Sequence, residues 1–489
     1  MTEAVLTRRR AGVLLHPTSL PGGHGIGDLG VSAHRFLELL ARCGFHLWQM
    51  LPLGPTHQDR SPYQSFSAHA GDPLLIDLQA LVERGWLEAT ELPTATAAET
   101  EKYHSLRRAA ERFYASGGDE SPEFGRFVDE QAHWLEDYAL FQALRREQNQ
   151  RPWWRWPVEL RDRQAAALAA ARERLASELR QHRFEQFCFE TQWRALHEHA
   201  QRLDIALFGD LPIFVAHDSA EVWARPDLFL LEADGRTRWV AGVPPDYFSE
   251  EGQRWGNPLY DWSRMAAEGF RWWCERIESG LKRFDLLRID HFRGFQACWY
   301  IPGESATARD GHWEAVPGEA LFETLHDRFG TLPLVAEDLG FITPEVHALR
   351  RRFGLPGMRV LQFAFDGSPD NPYLPHNHSV DSVVYTGTHD NDTTLGWFAA
   401  LDEATKERII DYLGDPREPM PWALIRAAFR SVAALAVVPL QDLLGLDSSH
   451  RMNRPGTTEG NWRWRVTQAQ LEGLDTARVA RMLNAYGRV

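Results

Sequence analysis

The run Asp285-Leu-Leu-Arg-Ile-Asp-His-Phe-Arg-Gly-Phe295 turns from apolar to charged within a few positions. Leu286, Leu287 and Ile289 suit a buried strand. Arg288, Asp290, His291 and Arg293 arrive where that strand should end. Neighbouring positive charge favours the ionised form of a carboxylate, and an ionised carboxylate at a strand mouth suits a nucleophile. Taken alone, the run fits equally well a salt-bridged strand end that only braces the fold. Other apolar runs end in the same way: Asp204–Phe208 at Gly209-Asp210, Leu334–Ala336 at Glu337, Gly357–Phe365 at Asp366, and Val383–Tyr385 at Gly387-Thr-His389-Asp390.

These acids need a frame that brings them together. Apolar runs centred near Val13, Leu47, Ala206, Leu287, Val335, Leu361, Val384 and Val437 read as eight buried strands, mostly separated by helical segments. That alternation predicts an α/β fold, a parallel (β/α)8 TIM barrel, as a single catalytic domain over 1–489. Residues 81–201, rich in Ala, Glu, Arg and Gln, read as a mostly helical insertion, with helical periodicity over Phe124–Arg146 and Arg161–Ala200. Residues 211–262 read as a loop insertion over the cleft, packed by Tyr247, Phe248, Trp255, Tyr260 and Trp262. Ser32 is a candidate N-cap for a helix running to Cys43. In a parallel barrel every strand's C-terminal end faces one mouth, so Asp210, Asp290, Glu337, Asp366 and Asp390 are expected to converge there. Carboxylates gathered without a purpose would repel one another.

Bulk properties narrow the partners. With 489 residues, 44% of them hydrophobic, the chain can bury a large core. A formal charge of −15 argues against nucleic-acid and anionic-membrane surfaces. Cys43, Cys188, Cys274 and Cys298 are scattered, which suggests buried thiols in a reducing compartment and a cytoplasmic protein. The run Ala11–Leu15 is too short for a signal-peptide core, and no run approaches the ~20 apolar residues of a membrane span. Gly25, Gly27 and Gly30 match a dinucleotide fingerprint literally, but they follow the strand too late, and the next strand ends in Pro52 instead of a ribose-binding acid. His197-Glu-His199 lacks a third ligand and reads as a solvated helix face.

A carboxylate ring serves either divalent metals or glycoside chemistry, where one carboxylate attacks and the other protonates. Arg288 beside Asp290 would repel a cation, and His291, His389 and the loop aromatics suit sugar hydroxyls and sugar faces. No metal and no cofactor is expected.

Several runs carry a family resemblance: Leu15-His-Pro-Thr-Ser-Leu-Pro-Gly-Gly-His-Gly-Ile-Gly-Asp-Leu-Gly30, Ser61-Pro-Tyr63, Gly209-Asp-Leu-Pro-Ile-Phe-Val-Ala-His-Asp218, Trp255-Gly-Asn-Pro258, Arg288-Ile-Asp-His-Phe-Arg-Gly294, Ala336-Glu-Asp-Leu-Gly340, Gly387-Thr-His-Asp-Asn-Asp-Thr393 and Asn461-Trp-Arg-Trp464. In this order the chain resembles the 4-α-glucanotransferases known as amylomaltases or disproportionating enzymes, relatives of the α-amylase clan. The resemblance implies disproportionation of maltodextrins and other α-1,4-glucans, with glucose as an acceptor, by a retaining double displacement. It implies a barrel without a C-terminal β-sandwich domain. It assigns Asp290 as nucleophile, Glu337 as general acid/base and Asp390 as transition-state stabiliser. It puts His291, Tyr63 and Asp210 at the donor sugar; Asp390 and His389 would hold the sugar's 2- and 3-hydroxyls, Arg288 would keep Asp290 ionised, and Asp366 is a further substrate-binding candidate. Trp255 and Asn257 would line the acceptor side, with Asn461 and Trp462 nearby. The rival readings are an α-glucan hydrolase on the same fold, a non-catalytic glucan-binding protein and a metal-dependent barrel enzyme.

Overall fold

The computed structural model describes residues 6, 8–94, 99–245, 249–457 and 459–489; Tyr247 and Phe248 lie outside them. In chain order the strands are β1 (Arg10–Leu14), β2 (Leu47–Gln49), β3 (Ala206–Leu211), β4 (Trp239–Val243), β5 (Gln253–Pro258), β6 (Leu286–Ile289), β7 (Ala297–Pro302), β8 (His312–Ala315), β9 (Leu334–Ala336), β10 (Gly357–Val360), β11 (Ser382–Tyr385) and β12 (Leu435–Pro439). Eight of them form one parallel sheet in the order β10-β11-β12-β1-β2-β3-β6-β9. Its two ends meet where the Ala336 N–H donates to Pro356 O at 2.8 Å, which rolls the sheet into a (β/α)8 barrel. Proline has no N–H to extend that seam. The Asp338 carboxylate takes over by accepting from Met358 N at 2.7 Å.

The period of two along each strand sorts the side chains. Leu14, Leu47, Phe208, Leu286, Val335, Val360, Val383, Tyr385 and Val437 fill the barrel interior, while Val13, Leu207, Leu287, Ala336, Val384 and Val438 face the surrounding helices. One step of two beyond Leu286 is Arg288, and one more is Asp290. The same step leads from Phe208 to Asp210 and from Val335 to Glu337. Alternation thus lifts these polar residues onto the inner rim directly above an apolar floor. Gly12 lets β1 and β2 approach, since a β-carbon there would stand 2.5 Å from Leu47 Cβ.

Between β2 and β3 the chain forms helices at Glu99–Ala115, Pro122–Glu130, Leu135–Glu147, Ala165–Arg174 and Ala176–Arg202. Two expected helices are broken. The chain leaves the helix between Glu130 and Leu135, where the Trp134 indole is buried against His69 and Tyr138. It breaks again at Leu175, which is itself buried. Periodicity persists across both breaks because the apolar face is shared. The N-cap expectation is also corrected: the helix starts at Val31 and Gly30 occupies the cap.

The segment after β3 is not structureless. β4 and β5 join β7 and β8 in a second, antiparallel sheet ordered β5-β4-β7-β8. The sequence hid it because β8 is exposed along its whole length and β5, exposed only at Gln253 and Arg254, carries no alternating hydrophobic face. The expected strand through Phe365 stops at Val360 and tightens into a 3-10 turn over Leu361–Phe363. The histidine pair on the long helix is also engaged: His197 Nε2 lies 3.0 Å from Asp285 Oδ2, and His199 Nδ1 lies 2.8 Å from His34 Nδ1.

At the base of the barrel Arg488 is fully buried. Its guanidinium donates to the carbonyls of Phe429 (2.7 Å), Arg10 (2.9 Å), Ser431 (2.9 Å), Ala433 (3.1 Å) and Ala434 (3.2 Å). The C-terminal segment thereby holds β1 to the turn before β12.

Candidate active site

Arg288 is the hub of the rim. Its side chain is 6% exposed, and it forks to two carboxylates, NH1 to Asp210 Oδ2 at 2.5 Å and NH2 to Asp290 Oδ1 at 2.7 Å. The planar guanidinium suits such bridging, with each edge fixing one acid. Asp210 is the buried member, and burial raises its pKa against the lowering effect of Arg288. Asp290 keeps 28% of its side chain open to the mouth.

Tyr63 closes the same network. Its hydroxyl donates to Asp210 Oδ2 at 2.8 Å, lies 3.3 Å from Arg288 NH1 and 2.9 Å from His389 Nε2. The hydroxyl proton is directed at Asp210, so the His389 contact calls for Nε2–H as donor. Burial raises the Tyr63 hydroxyl pKa well above its usual value and keeps it a donor. His389 Nε2 is also 3.4 Å from Asp390 Oδ1. Trp462 completes the cluster, its ring 6.1 Å from that of Tyr63 and 5.9 Å from that of His389.

Glu337 faces Asp290 across the β6–β9 pair, where the Glu337 N–H donates to Ile289 O at 3.0 Å. Its carboxylate accepts from His291 N at 2.7 Å and Leu339 N at 3.0 Å. Burial pushes its pKa up to about 8, with Arg288 acting against that rise and Asp290 adding to it. A carboxyl protonated at neutral pH beside a carboxylate ion-paired to arginine gives an acid and a nucleophile at one mouth.

Asp390 stands on the loop after β11. Buried Asp442 clamps that loop by accepting from Thr386 Oγ1 at 2.6 Å and Thr394 N at 2.7 Å, on either side of it. Two residues not expected from sequence hold Asp390 itself: Asn453 Nδ2 donates to Asp390 Oδ1 at 2.6 Å, and Arg451 NH2 donates to Asp390 O at 2.9 Å. Nothing local in the sequence marked either residue as part of the site.

The remaining expected residues divide. His291 packs edge-on against Trp255 at 4.8 Å, and burial depresses its pKa to about 4, so it is neutral. Asn257 is buried and committed to the protein, donating to Val215 O at 2.9 Å and accepting from Gln64 Nε2 at 3.2 Å. Asn461 ties its own loop, donating to Thr457 O at 2.9 Å and accepting from Arg454 N at 2.9 Å. Asp366 is exposed and accepts from Ser368 N at 2.9 Å; among the described residues no bond joins it to the other acids. The 3-10 turn after β10 ends the regular strand before it reaches that position. No group of three or more metal-ligating side chains is found among the described residues.

A family model described as 4-alpha-glucanotransferase matches residues 15–470. The chain is 51% identical to a 4-alpha-glucanotransferase of Thermus thermophilus, over 98% of this chain and 99% of the relative. It is 42% identical to that of Aquifex aeolicus, over 98% of this chain and 99% of the relative. Among solved structures, the amylomaltase from Streptococcus agalactiae in complex with acarbose superposes with a TM-score of 0.94 at 36% identity, covering 98% of this chain and 100% of that one.

Proposed function

The chain belongs to the 4-alpha-glucanotransferase family, and from that premise we propose that Asp290, Glu337 and Asp390 carry its reaction. The enzyme transfers a segment of a 1,4-α-D-glucan to the 4-hydroxyl of an acceptor glucan or of glucose. Asp290 attacks the anomeric carbon of the donor sugar while Glu337 gives its proton to the departing oxygen. The glucan is then held on Asp290 through an ester. Glu337, now a carboxylate, takes the proton from the acceptor 4-hydroxyl, which attacks the same carbon and releases Asp290. Two inversions leave the α configuration intact.

The observation that carries this assignment is the contrast between the two carboxyls. Asp290 is ion-paired to Arg288 at 2.7 Å, whereas Glu337 is held near a pKa of about 8 by burial. Asp390, turned by Asn453, would meet the sugar's hydroxyls together with His389 as the ring flattens. Tyr63, Asp210, Arg288 and His291 shape the donor site. Trp255 and Trp462 offer ring faces to sugars, and Asn257 and Asn461 act through the loops they tie. Asp366, exposed and bonded to Ser368 N, stands as a further substrate-binding residue.

Transfer requires that a sugar hydroxyl reach the ester before water does. Ring faces that gather acceptor and exclude solvent serve that end. We further infer one catalytic domain over 1–489, with 81–201 and 211–262 as its insertions, and a cytoplasmic enzyme whose partners are glucans, not nucleic acid or membrane. No helix among the described residues is long and apolar enough to cross a membrane. Incubation with maltotriose alone tests the reaction. Transfer yields glucose and maltodextrins longer than the substrate; glucose and maltose alone would mark a hydrolase.

A further inference from the structure

Phe341 is the most exposed large aromatic side chain among the described residues, at 80% exposure. It stands four positions beyond Glu337 and is not a loose tip. Its carbonyl accepts from Arg293 Nε at 2.9 Å, and Arg293 stands three positions beyond Asp290. The same guanidinium carbon lies over the Trp313 ring, 3.5 Å from its centroid, and 5.9 Å from the centroid of the Phe341 ring. Trp313, on β8, is 37% exposed and rests edge-on against Trp299 at 5.2 Å. One buried arginine from the loop after β6 therefore fixes two open rings, one on the loop after β9 and one on the second sheet.

The placement gives these rings a side of the cleft. The Tyr63, His389 and Trp462 cluster comes from the loops after β2, β11 and β12. Trp255, Arg293 and Phe341 come from those after β3, β6 and β9, on the side of Glu337. Glu337 serves the oxygen that leaves and the oxygen that attacks, so this is the acceptor side of the reaction assigned above. An α-1,4-glucan presents flat, largely C–H faces that aromatic rings cover well. A single exposed phenylalanine would mean little. Two open rings held by one arginine, on loops that leave the rim just after Asp290 and Glu337, are placed to act together.

We propose that Phe341 and Trp313, held by Arg293, form an outer acceptor subsite that stacks a sugar of a long acceptor glucan and so biases transfer towards longer acceptors. The inference rests on the transferase reading, and the experiment separates the two. Transfer from a maltodextrin donor is measured to labelled glucose, maltose, maltotriose and maltotetraose for the parent enzyme, Phe341→Ala, Trp313→Ala and Phe341→Tyr. Both alanine variants are expected to lower the maltotetraose-to-glucose ratio of kcat/KM by about 5- to 20-fold, and Phe341→Tyr to keep it. If the parent transfers but the alanine variants keep its acceptor profile, the outer subsite is overturned. The same holds if they lose activity equally at every length, which would mark the rings as loop supports or as a contact for another protein. If the parent releases only hydrolysis products, the transferase reading fails instead. Titration of maltoheptaose onto Glu337→Gln, with and without Phe341→Ala, gives a binding readout free of turnover, and equal affinities would also overturn the proposal.

Discussion

His291 donates its backbone N–H to Glu337 Oε2 across 2.7 Å, from a left-handed conformation at φ 50°. A residue with a β-carbon adopts that conformation at a cost of roughly 1–2 kcal/mol. The conformation turns the chain sharply after Asp290 and aims the next N–H at the second carboxyl. The two carboxyls are therefore placed by one backbone turn as well as by the β6–β9 pairing.

That turn bears on how activity follows pH. The N–H bonds from His291 and Leu339 favour the charged Glu337, yet burial outweighs them and holds its pKa up to about 8. In the double displacement proposed above, the first half-reaction needs the proton on Glu337. The rate of ester formation is therefore expected to hold through neutral pH and to fall about tenfold per unit once pH is well above 8. Single-turnover measurements with a good donor would read it. A rate that already falls tenfold per unit as pH rises past 5 would contradict the raised pKa of Glu337.

The same shift predicts a stability gain from an inactivating change. A carboxyl whose folded pKa is raised binds its proton more tightly in the native state than in the unfolded one. Its contribution to stability is fully present below the unfolded value of 4.5 and is lost as pH rises through about 8. Glu337→Gln, which never ionises, should match the parent's stability near pH 4. Its advantage should grow steadily between pH 5 and 8. Urea unfolding midpoints at three pH values test this, and a parallel pair of profiles would contradict it.

Arg288 is the second point of control. It neutralises Asp210 and Asp290 together at 2.5 and 2.7 Å. Arg288→Met would leave two carboxylates facing each other without a counter-charge, a loss of about 3–5 kcal/mol in measured cases of broken buried pairs. We expect transfer to fall by more than a hundredfold. Arg288→Lys should recover little of it, because one ammonium cannot fork to both acids. Near-parental activity in Arg288→Lys would show that charge alone suffices.

The barrel and three carboxyls of its mouth were legible because alternation is a local rule. Leu286, Arg288 and Asp290 share a face whatever the rest of the chain does, as do Val335 and Glu337. The strand expected to run up to Asp366 ends early in a 3-10 turn, and nothing in Leu361–Phe363 distinguishes that turn from a strand. The second sheet was hidden for a related reason: β8 is exposed along its whole length, so no periodic apolar face marks it. Asn453 was missed because its role is a contact across 63 positions, and an asparagine in a loop reads locally as a turn residue.

The base of the barrel predicts a stability effect separable from catalysis. The Arg488 guanidinium donates to the carbonyls of Phe429, Arg10, Ser431, Ala433 and Ala434. Arg488→Met fills much of the space but leaves several of these acceptors buried without a donor, each worth about 1–3 kcal/mol. We expect a loss of at least about 3 kcal/mol in urea unfolding, with kcat of the folded fraction unchanged at low temperature. A change in kcat without a change in stability would contradict this, since the residue is at the end of the barrel away from the mouth.

Asn453 offers the sharpest test of how Asp390 works. Its Nδ2 donates to Asp390 Oδ1 at 2.6 Å, and His389 Nε2 approaches the same oxygen at 3.4 Å. If Asp390 stabilises the flattened sugar ring, its orientation matters most in the transition state, so losing the Asn453 bond should lower kcat more than it raises KM. A hydrogen bond to a charged group contributes about 1.5–3 kcal/mol, which converts to roughly a 10- to 100-fold loss in kcat for Asn453→Ala. Asn453→Asp should be worse, because it places a second carboxylate against Asp390 in place of the donor. Asn453→Gln can restore the donor only by bending its longer arm, and partial recovery is expected. Equal losses in Asn453→Ala and Asn453→Asp, appearing in KM alone, would mean that Asn453 shapes the closing loop and that Asp390 needs no such hold.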